Sequence, residues 1–451
     1  MNRNVTRREL LSTGGTVAAG LTMNTLLREA RAAEANERLT IGVIGCGGMG
    51  RYNMDCMQRT GQCDVAAVCD IDRQQAERTA ARSAELAGGH TPEIVPHYQR
   101  ILDRKDIDIV IIATPDHWHA IQFLNACAAG KDIYCEKPCC HNIREGRRMV
   151  DATKKYGRVV QIGTLQRSQQ HFQEARDFIQ QGKLGKITMT HTYTYENESP
   201  QGMGNAPDSE PPSGVDYNEW LGPAPLRPFN SRRFHGSWRW YFDYAAGMVG
   251  DWNVHLQDII QWVMRTPYPV SVNTEGGHYV LEDDRDTSDT MQTVYDFGSY
   301  VQTFSMRKAS GKPWYVPGGH GMDFYGTNGM LHLSRSGWRI EGDEVNWSDR
   351  DNHELRTPNF EAKGRTVYEP HVQDFIDCVR TRKTTIAPIE EHYPIVVACH
   401  LANVSYLAKH KIFWDREKEL CFKDRKLTVL DQEANEYLGR EYRKGYELPE
   451  V

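Results

Sequence analysis

The sequence has no excess of basic residues and no long hydrophobic run. Its 451 residues carry 54 lysines and arginines against 60 aspartates and glutamates. This balance argues against a nucleic acid as the main partner, because binding a polyanion requires surplus positive charge. After residue 32 no run of about 18 apolar residues occurs, so no membrane-spanning helix is expected in the mature chain. No internal repeat is present, and the length favours two domains.

The eleven cysteines form no CxxC pair and have no regular spacing. Three of them lie in the stretch CEKPCCH, 135–141, which crowds thiols, a carboxylate, an amine and an imidazole together. These residues lack both tetrahedral zinc spacing and a second ligand cluster, so no metal site is predicted. We expect the cysteines to be small buried apolar side chains.

The N-terminus has the order of an export signal. Adjacent Arg7 and Arg8 precede a weakly apolar stretch, and Ala30-Arg31-Ala32 gives a small-x-small cleavage pattern. This order resembles a twin-arginine signal, so residues 1–32 are predicted to be a signal peptide. The protein would then meet the twin-arginine export machinery, become periplasmic or otherwise exported, and stay off the membrane after processing. The alternative is a basic, disordered N-terminus.

Apolar runs alternate with helical stretches up to about residue 163. Runs such as LTIGVIG (39–45) and DIVIIATP (108–115) are typical of strands buried on both faces of a parallel sheet. The alternation predicts a doubly wound α/β domain over residues 38–163. Within it, Asp116 is expected to cap a helix rather than bind a metal.

The remaining sequence alternates with period two, as in KITMTHTYTYEN, which predicts antiparallel strands with one covered face. We assign residues 164–430 to this second domain and expect late helices at 367–380 and 394–409. The Pro/Gly/Asn-rich segment 199–230 is expected to be a long loop at a functional cleft. The charged, tyrosine-rich tail 431–451 would wrap the body or a neighbouring molecule.

A glycine-rich loop follows the first predicted strand and precedes a helix. GCGGMG has GxGxxG spacing, and Asp70 follows at a strand end twenty residues later, which predicts a dinucleotide site. Asp70 would accept hydrogen bonds from ribose hydroxyls and repel a 2′-phosphate, so NAD is predicted over NADP. Arg73 leaves NADP open. The predicted pyrophosphate loop consists of Gly45, Gly47, Gly48, Met49 and Gly50.

Seven stretches spread along nearly the whole mature chain carry a family resemblance. They are GVIGCGGMG, VCDID, ATPDHWHA, CEKP, IGTLQR, GMVGDWNVHLQD and IFWD. Together they resemble the Gfo/Idh/MocA oxidoreductases, the family of glucose–fructose oxidoreductase and inositol dehydrogenase. The resemblance implies an α/β Rossmann domain that binds NAD(P), followed by an α+β domain with a large open, mostly antiparallel sheet. It also implies a sugar-like or cyclitol substrate and a homodimer or homotetramer formed through that sheet.

The resemblance further implies the catalytic residues. Lys137 matches the lysine of the family's EKP motif, which lies between nicotinamide and substrate in relatives. Asp251 and His255 match a D-x-x-x-H motif whose histidine is the general base, while Asn253 stands where a glycine is frequent. Physically, residues four apart share one face of a helix, and an ordinary histidine titrates near neutral pH. A nearby lysine favours a developing alkoxide.

Other site residues follow from the same comparison and from side-chain chemistry. The positions expected to bind the cofactor, besides the glycine loop, Asp70 and Lys137, are Thr114, Pro115, His119 and Glu136. Pro138 would fix the backbone of the lysine, through a cis peptide. The candidate substrate contacts are Arg167, Trp238, Trp240 and Asp251, although aromatic residues of this kind are as often core.

We therefore predict an exported NAD-dependent oxidoreductase that moves a hydride between nicotinamide and a hydroxyl carbon of a sugar, polyol or sugar derivative. The alternative is an NAD-dependent glycoside hydrolase that acts by transient oxidation and elimination and keeps its cofactor tightly bound. The intact EKP motif favours the dehydrogenase. A third class, a non-catalytic sugar sensor or scaffold, would not need the catalytic side chains.

Overall fold

The computed structural model of the protein describes residues 38–311, 317–345 and 353–451. The predicted signal peptide falls outside these residues. Within them two sheets of different character follow one another along the chain.

The first sheet of the described chain has six strands, all parallel. They are β1 (Leu39–Ile44), β2 (Cys63–Cys69), β3 (Glu93–Val95), β4 (Ile109–Ile112), β5 (Asp132–Cys135) and β6 (Val160–Ile162). Their order in space is β3-β2-β1-β4-β5-β6, the doubly wound arrangement that places ligands at the carboxyl ends of β1 and β4. β4 is buried at every residue, which explains its unbroken apolar sequence.

Helices cover both faces of this sheet. They are α1 (Gly48–Arg59), α2 (Arg73–Leu86), α3 (Gln99–Asp103), α4 (Asp116–Ala128) and α5 (Ile143–Tyr156). The side chain of Asn142 accepts the Glu145 N–H at the start of α5, and Gly157 ends that helix in the left-handed conformation. The predicted cap at Asp116 is wrong: Pro115 is the capping position of α4, and Asp116 is the first residue inside the helix.

The second sheet has ten strands in the described residues. They are β7 (Ile187–Tyr195), β8 (Ser271–Gly277), β9 (Thr290–Asp296), β10 (Val301–Arg307), β11 (His320–Gly326), β12 (Gly329–Ser334), β13 (Gly337–Gly342), β14 (Phe360–Lys363), β15 (Ile412–Asp415) and β16 (Leu420–Phe422). Their order is β14-β13-β12-β11-β7-β10-β9-β8-β15-β16, and every pair is antiparallel except β7 with β10. This sheet beside the parallel one confirms the predicted fold class.

Helices pack on one face of the second sheet. The helices of this part are α6 (Gln170–Gln180), α7 (Tyr217–Leu221), α8 (Val254–Met264), α9 (Glu369–Thr381), α10 (Ile389–Ala408) and α11 (Gln432–Glu436). α6, α8 and α10 contact its strands. The predicted helix start at Pro394 is wrong, since α10 begins at Ile389 and contains that proline near its N-terminal end. None of the helices in the described ranges is long and apolar enough to cross a bilayer.

α9 lies within the predicted second domain in sequence but packs against the first sheet. Its residues Phe375 and Ile376 share one apolar cluster with Ile41 of β1 and Met54 of α1. All four side chains are fully buried. The two parts of the chain therefore share a core and do not pack as separate bodies.

The tail after residue 431 wraps the body of the protein. Arg440 pairs with the buried Glu145 at 2.7 Å, and Arg443 donates to the Gly222 carbonyl at 2.7 Å. The Tyr446 hydroxyl lies 2.9 Å from a carboxylate oxygen of Glu219. These contacts tie α4, α5 and the segment around α7 together.

Candidate active site

A cleft of about 540 Å³ opens at the carboxyl ends of the parallel strands. Gly45, Asp70, Ala113 and Glu136, which line it, directly follow β1, β2, β4 and β5. Residues of the second half of the chain close the other side, including Asp251 and His255. The cleft therefore collects the predicted nucleotide loop and the predicted catalytic residues.

The glycine loop is shaped to receive a phosphate group. Gly45 has φ +88°, and a Cβ at Gly50 would lie 1.8 Å from the Gly45 carbonyl oxygen, so both positions serve the tight turn and helix packing. A Cβ at Gly47 or Gly48 would meet no protein atom within 4 Å. These two glycines face open space at the N-terminus of α1, where free N–H groups favour an anion. The loop thus fits a dinucleotide pyrophosphate.

Asp70 braces this loop and still faces the cleft. One carboxylate oxygen accepts the Cys46 N–H at 2.7 Å, and the other accepts the Asp72 N–H at 2.9 Å. Burial raises the pKa of Asp70, and these hydrogen bonds oppose the rise. Each oxygen keeps a lone pair for a ribose hydroxyl. Arg73 does not line the cleft: its side chain is 75% exposed and pairs with Glu77, which favours NAD over NADP.

The EKP segment is held from several sides. The Asn53 amide donates to Glu136 at 2.7 Å, and burial raises the pKa of this carboxyl. The Lys137–Pro138 peptide is cis, as expected from the sequence. His119 lies 2.8 Å from the carbonyl oxygens of both Pro138 and Thr114. Burial lowers the pKa of His119 to about 4, so the ring is neutral, donates to one of these two carbonyl oxygens and only packs against the other.

Asp251 lies on a π turn, Val249–Asn253, immediately before α8. Helical structure begins just before Gly250 and continues through this π turn into α8, and single π turns of this kind are frequent at functional sites. A Cβ at Gly250 would lie 3.6 Å from Cγ of Pro138 and closer still, at 2.8 Å, to the preceding turn. The missing side chain leaves room for Ala246 in the preceding turn, while Pro138 of the EKP segment lies at ordinary contact distance.

This contact brings Lys137 to Asp251. The lysine Nζ lies 2.8 Å from the Asp251 carbonyl oxygen and 3.0 Å from Oδ1, and Arg239 Nε lies 3.1 Å from Oδ1. Burial alone would raise the pKa of Asp251, but the charges of Lys137 and Arg239 outweigh it and hold the pKa at about 2. Asp251 is thus an ionised carboxylate between two cations.

His255 lies in the same cleft and is 6% exposed. Burial, followed by the positive charges of Lys137 and Arg335, holds the pKa of His255 well below its usual range. Its Nδ1 is buried and has no hydrogen-bond partner among the residues that the structure describes. The neutral ring can therefore accept a proton from a bound hydroxyl group.

Two of the candidate substrate contacts lie elsewhere. Arg167 is 2% exposed and makes an ion pair with Asp258 of α8 at 2.9 Å, outside the cleft. Trp240 does not line the cleft either, because its ring packs against Lys308 and Arg285 at 4.4 and 5.4 Å. Both predictions are corrected: these side chains are structural.

Trp238 does line the cleft, where Arg239 stacks on its ring at 4.4 Å. The two tryptophans differ because residues 237–240 form a 3₁₀ turn, in which positions two apart point in different directions. Thr114, Pro115 and Met49 also line the cleft, as the sequence predicted.

Sequence analysis missed several cleft residues. The ones relevant to the chemistry are Trp252, Arg335, Tyr368, Glu219 and His235. Trp252 adjoins Asp251 inside the D-x-x-x-H motif, so the motif could have indicated it. Arg335 comes from the turn between β12 and β13, where no local pattern separates it from an ordinary surface arginine.

The segment that contains α7 covers the end of the cleft beside Asp70. Val215 forms a bridge with Asp72, and His235 Nε2 lies 2.8 Å from Oδ2 of Asp72. Glu219 and Trp220 line the cleft from the same segment. The predicted loop 199–230 therefore contributes part of the wall beside Asp70.

The cysteines take no part in this chemistry. All eleven are buried and unpaired, and Cys139 and Cys140 beside the EKP segment are 0% exposed. This confirms their predicted role in packing. In the described parts of the chain, no three His, Cys, Asp or Glu side chains form a group that could hold a metal ion.

Two family models match the chain. An oxidoreductase family model with an NAD-binding Rossmann fold matches residues 39–164, and the model of that family's C-terminal alpha/beta domain matches residues 170–326. Together they span more than half of the chain.

Curated relatives match over about a third to two fifths of the chain. Inositol 2-dehydrogenase 3 of Saccharopolyspora erythraea is 32% identical over 154 residues, which is 34% of this chain and 43% of that protein. Inositol 2-dehydrogenase of Salmonella typhimurium is 28% identical over 191 residues, 41% of this chain and 54% of that protein. The matches thus cover about half the length of these relatives.

Solved structures match over most of the chain. Levoglucosan dehydrogenase in complex with NADH and levoglucosan covers 83% of this chain and 99% of its own, with a TM-score of 0.60 and 19% identity. The WlbA dehydrogenase of Bordetella pertussis, in complex with NADH and UDP-GlcNAcA, covers 84% and 99%, with a TM-score of 0.61 and 15% identity. At these identities the likeness concerns the fold.

Proposed function

The chain belongs to the Gfo/Idh/MocA oxidoreductase family, and from that premise we propose that it is an NAD-dependent dehydrogenase. It would move a hydride between nicotinamide and a hydroxyl-bearing carbon of a sugar, polyol or sugar derivative. The observation that carries the proposal is the contact of Lys137 with Asp251, 114 residues apart, beside a neutral His255 and in the same cleft as the glycine loop.

The proposed roles follow from the protonation states. Asp251 stays ionised and fixes Lys137 and Arg239 on one side of the cleft. Lys137 donates a hydrogen bond to the reacting oxygen and stabilises negative charge as it develops there. His255, uncharged and short of a partner, takes the hydroxyl proton. The nicotinamide supplies the hydride acceptor when NAD is bound, and the open faces of Gly47 and Gly48 fit its pyrophosphate.

The test is an activity assay with NAD and a panel of polyols, aldoses and sugar acids, read as NADH formation. We expect at least one substrate to be oxidised, and we expect Lys137→Met and His255→Asn to lower kcat by roughly 100-fold or more. Lys418→Met, which removes an exposed lysine, serves as the matched control. Activity that survives both catalytic substitutions would refute the mechanism, whereas a wild type that oxidises no substrate of the panel would favour a non-catalytic sensor.

The cover over the end of the cleft beside Asp70 favours a second candidate function. A redox-neutral glycoside hydrolase must keep its cofactor through oxidation, elimination, water addition and re-reduction. The contact of His235 with Asp72 and the strand-like bridge at Val215 would slow the release of a bound dinucleotide. Such retention equally suits a dehydrogenase that recycles its cofactor between two sugars.

An aryl glycoside panel distinguishes the two candidate functions. Release of the aryl group without net NADH formation would establish the hydrolase and exclude the simple dehydrogenase. Native mass spectrometry of the purified protein would show whether a dinucleotide stays bound. His235→Ala should speed its dissociation, because it removes a contact on the cover.

We also propose that the protein is exported through the twin-arginine pathway. The support is sequence order alone: Arg7 and Arg8, then an apolar stretch, then Ala30-Arg31-Ala32. Cell fractionation of the tagged protein tests this. Replacing both arginines by lysine should move the protein from the exported to the cytosolic fraction, and an unchanged distribution would contradict the proposal.

We further propose a homo-oligomer formed through the uncovered face of the second sheet. Met189, Val294 and Val301 are 37–41% exposed on neighbouring strands of that face. Single apolar residues at a surface are common, but three adjacent ones on an open sheet suit a second copy of the chain. Light scattering should give a multiple of the mass of one chain, which is 51.6 kDa before removal of the predicted signal peptide. Val294→Glu together with Val301→Glu should give the monomer.

A further inference from the structure

Arg335 is a cation in the cleft that the proton-transfer chemistry does not use. It lies in the turn between β12 and β13 and lines the cleft together with Lys137, His255 and Tyr368. Its guanidinium carbon lies 4.7 Å from the centroid of the Trp252 ring, and Trp252 itself lies on the turn that carries Asp251. Stacking on an aromatic ring fixes the orientation of a guanidinium and leaves its edge free for ligands.

Arg335 has no carboxylate partner in the described ranges of the chain. None of the ion pairs formed there includes it, and its Nε is buried without a hydrogen-bond partner. The other two cations of this region share Asp251. Burial lowers the pKa of Arg335, which is the expected effect of removing a guanidinium from water without a countercharge. A partly buried cation without a countercharge is unfavourable, and the carboxylate of a ligand would stabilise it.

The groups around the reacting position leave one cation without a partner. Lys137, Arg239 and Arg335 line this end of the cleft together with the carboxyl groups of Asp251, Glu136 and Asp116. Lys137 and Arg239 both contact Asp251. In the part of the chain that the structure describes, no carboxylate pairs with Arg335, so this end of the cleft has a place for one negative charge.

We infer that the substrate is an acidic sugar, such as a hexuronate, and that Arg335 binds its carboxylate while Lys137 and His255 act on a hydroxyl group. A planar guanidinium matches a carboxylate with two parallel hydrogen bonds. A phosphate group would carry more charge than the single unpaired cation balances. The phosphates of the dinucleotide are expected at the glycine loop. Arg335 lies instead near Asp251, whose charge is one of those that affect the pKa of Arg335. The inference rests on the proposed dehydrogenase function and adds a substrate class to it.

The experiment compares neutral and acidic sugars of the same stereochemistry: glucose with glucuronate, galactose with galacturonate, and mannose with mannuronate. The full-length wild type should show a higher kcat/KM for the acid in at least one pair. Arg335→Gln should lower kcat/KM for that acid by roughly 10- to 100-fold, the range of a lost charged hydrogen-bond pair, and leave the neutral sugar nearly unchanged. Arg335→Lys should recover part of the preference, since it keeps the charge and loses the two-point geometry.

Arg339→Gln is the matched control, because Arg339 lies on the adjoining strand β13 with its side chain 41% exposed. It should leave both sugars unaffected. NAD affinity, measured by fluorescence titration, should be the same for wild type and Arg335→Gln. A raised Kd for NAD would assign Arg335 to the cofactor and overturn the inference. A preference for glucose 6-phosphate over glucuronate that is lost in Arg335→Gln would overturn it in favour of phosphate.

Two further outcomes separate this inference from the proposed function. Oxidation of neutral polyols with no gain for acids would refute the acidic substrate and leave the dehydrogenase standing. If no sugar reduces NAD, thermal shifts with NADH and each sugar pair decide the inference directly. If an acidic sugar raises the melting temperature of the wild type but not of Arg335→Gln, acid binding is supported even though the sugar is not oxidised. If no acidic sugar has this effect, the inference is refuted.

Discussion

The clearest quantitative test of the site is the substitution Asp251→Asn. In the folded protein the pKa of Asp251 is about 2, against an ordinary value of 3.8, because Lys137 and Arg239 outweigh the effect of burial. The side chain is 19% exposed, so solvent screening removes little of this effect. At about 1.4 kcal/mol per pKa unit, the shift corresponds to roughly 2 kcal/mol of folding free energy that depends on pH.

The sign follows from the direction of the shift. A carboxyl group whose pKa is depressed in the folded state stabilises the protein above its unfolded pKa and loses that contribution as pH falls through its folded pKa. For Asp251 the contribution is therefore complete above about pH 4 and disappears towards about pH 2. Asparagine cannot ionise, so the variant lacks this dependence.

The measurement is the free energy of unfolding by denaturant for both proteins at several pH values between about 5 and 2. The stability difference between wild type and Asp251→Asn should shrink by roughly 2 kcal/mol as pH falls through this window. Asp243→Asn is a suitable control, because Asp243 pairs with Arg227 instead. A difference that stays constant with pH would refute the arrangement of two cations around Asp251.

Three further predictions concern the cleft. Burial and nearby positive charge keep the pKa of His255 well below 6.5, so kcat/KM should show no acid limb as pH falls through that value. An acid limb near pH 6.5 in the profile of kcat/KM would contradict a neutral base. Gly250→Ala places a Cβ 2.8 Å from the preceding turn and 3.6 Å from Pro138. Denaturation should therefore show a free energy of unfolding lower by roughly 1–3 kcal/mol. In the control Gly311→Ala the new Cβ meets nothing within 4 Å, so the free energy of unfolding should fall far less. Gly47→Val should change the free energy of unfolding by less than about 0.5 kcal/mol, because the new side chain would enter only the cleft. A titration should nevertheless show much weaker NAD binding. Equal NAD affinity would show that the loop does not hold the cofactor.

The first half of the fold was accessible from the sequence because its signals are local. A strand such as β4 is apolar throughout, and the glycine loop has its strand before it and its helix after it. The link between Lys137 and Asp251 is different in kind, since no periodicity connects residues 114 positions apart. Motif resemblance supplied it.

The incorrect or missing predictions share a physical cause: the role of each residue depends on partners that are distant in the sequence and cannot be found from it. Arg167 follows a family motif but is taken up by Asp258, far along the chain. Arg335 lies in a turn with no distinctive local pattern. Its place in the cleft could not be predicted, because it depends on the second sheet bringing the side chain over Trp252. Pro394 would start a helix by local preference, yet α10 is buried along most of its length, and packing outweighs that preference.

The placement of α9 has a consequence for how the protein is made on the ribosome. Ile41 and Met54 of the nucleotide-binding half find their partners Phe375 and Ile376 only after more than three hundred further residues have been translated. Until then the apolar side chains of this cluster lack the cover of α9, a condition in which nascent chains tend to associate wrongly. A shortened gene that stops after residue 163 should therefore yield insoluble product, and the whole chain is the smallest unit worth expressing for work on either half.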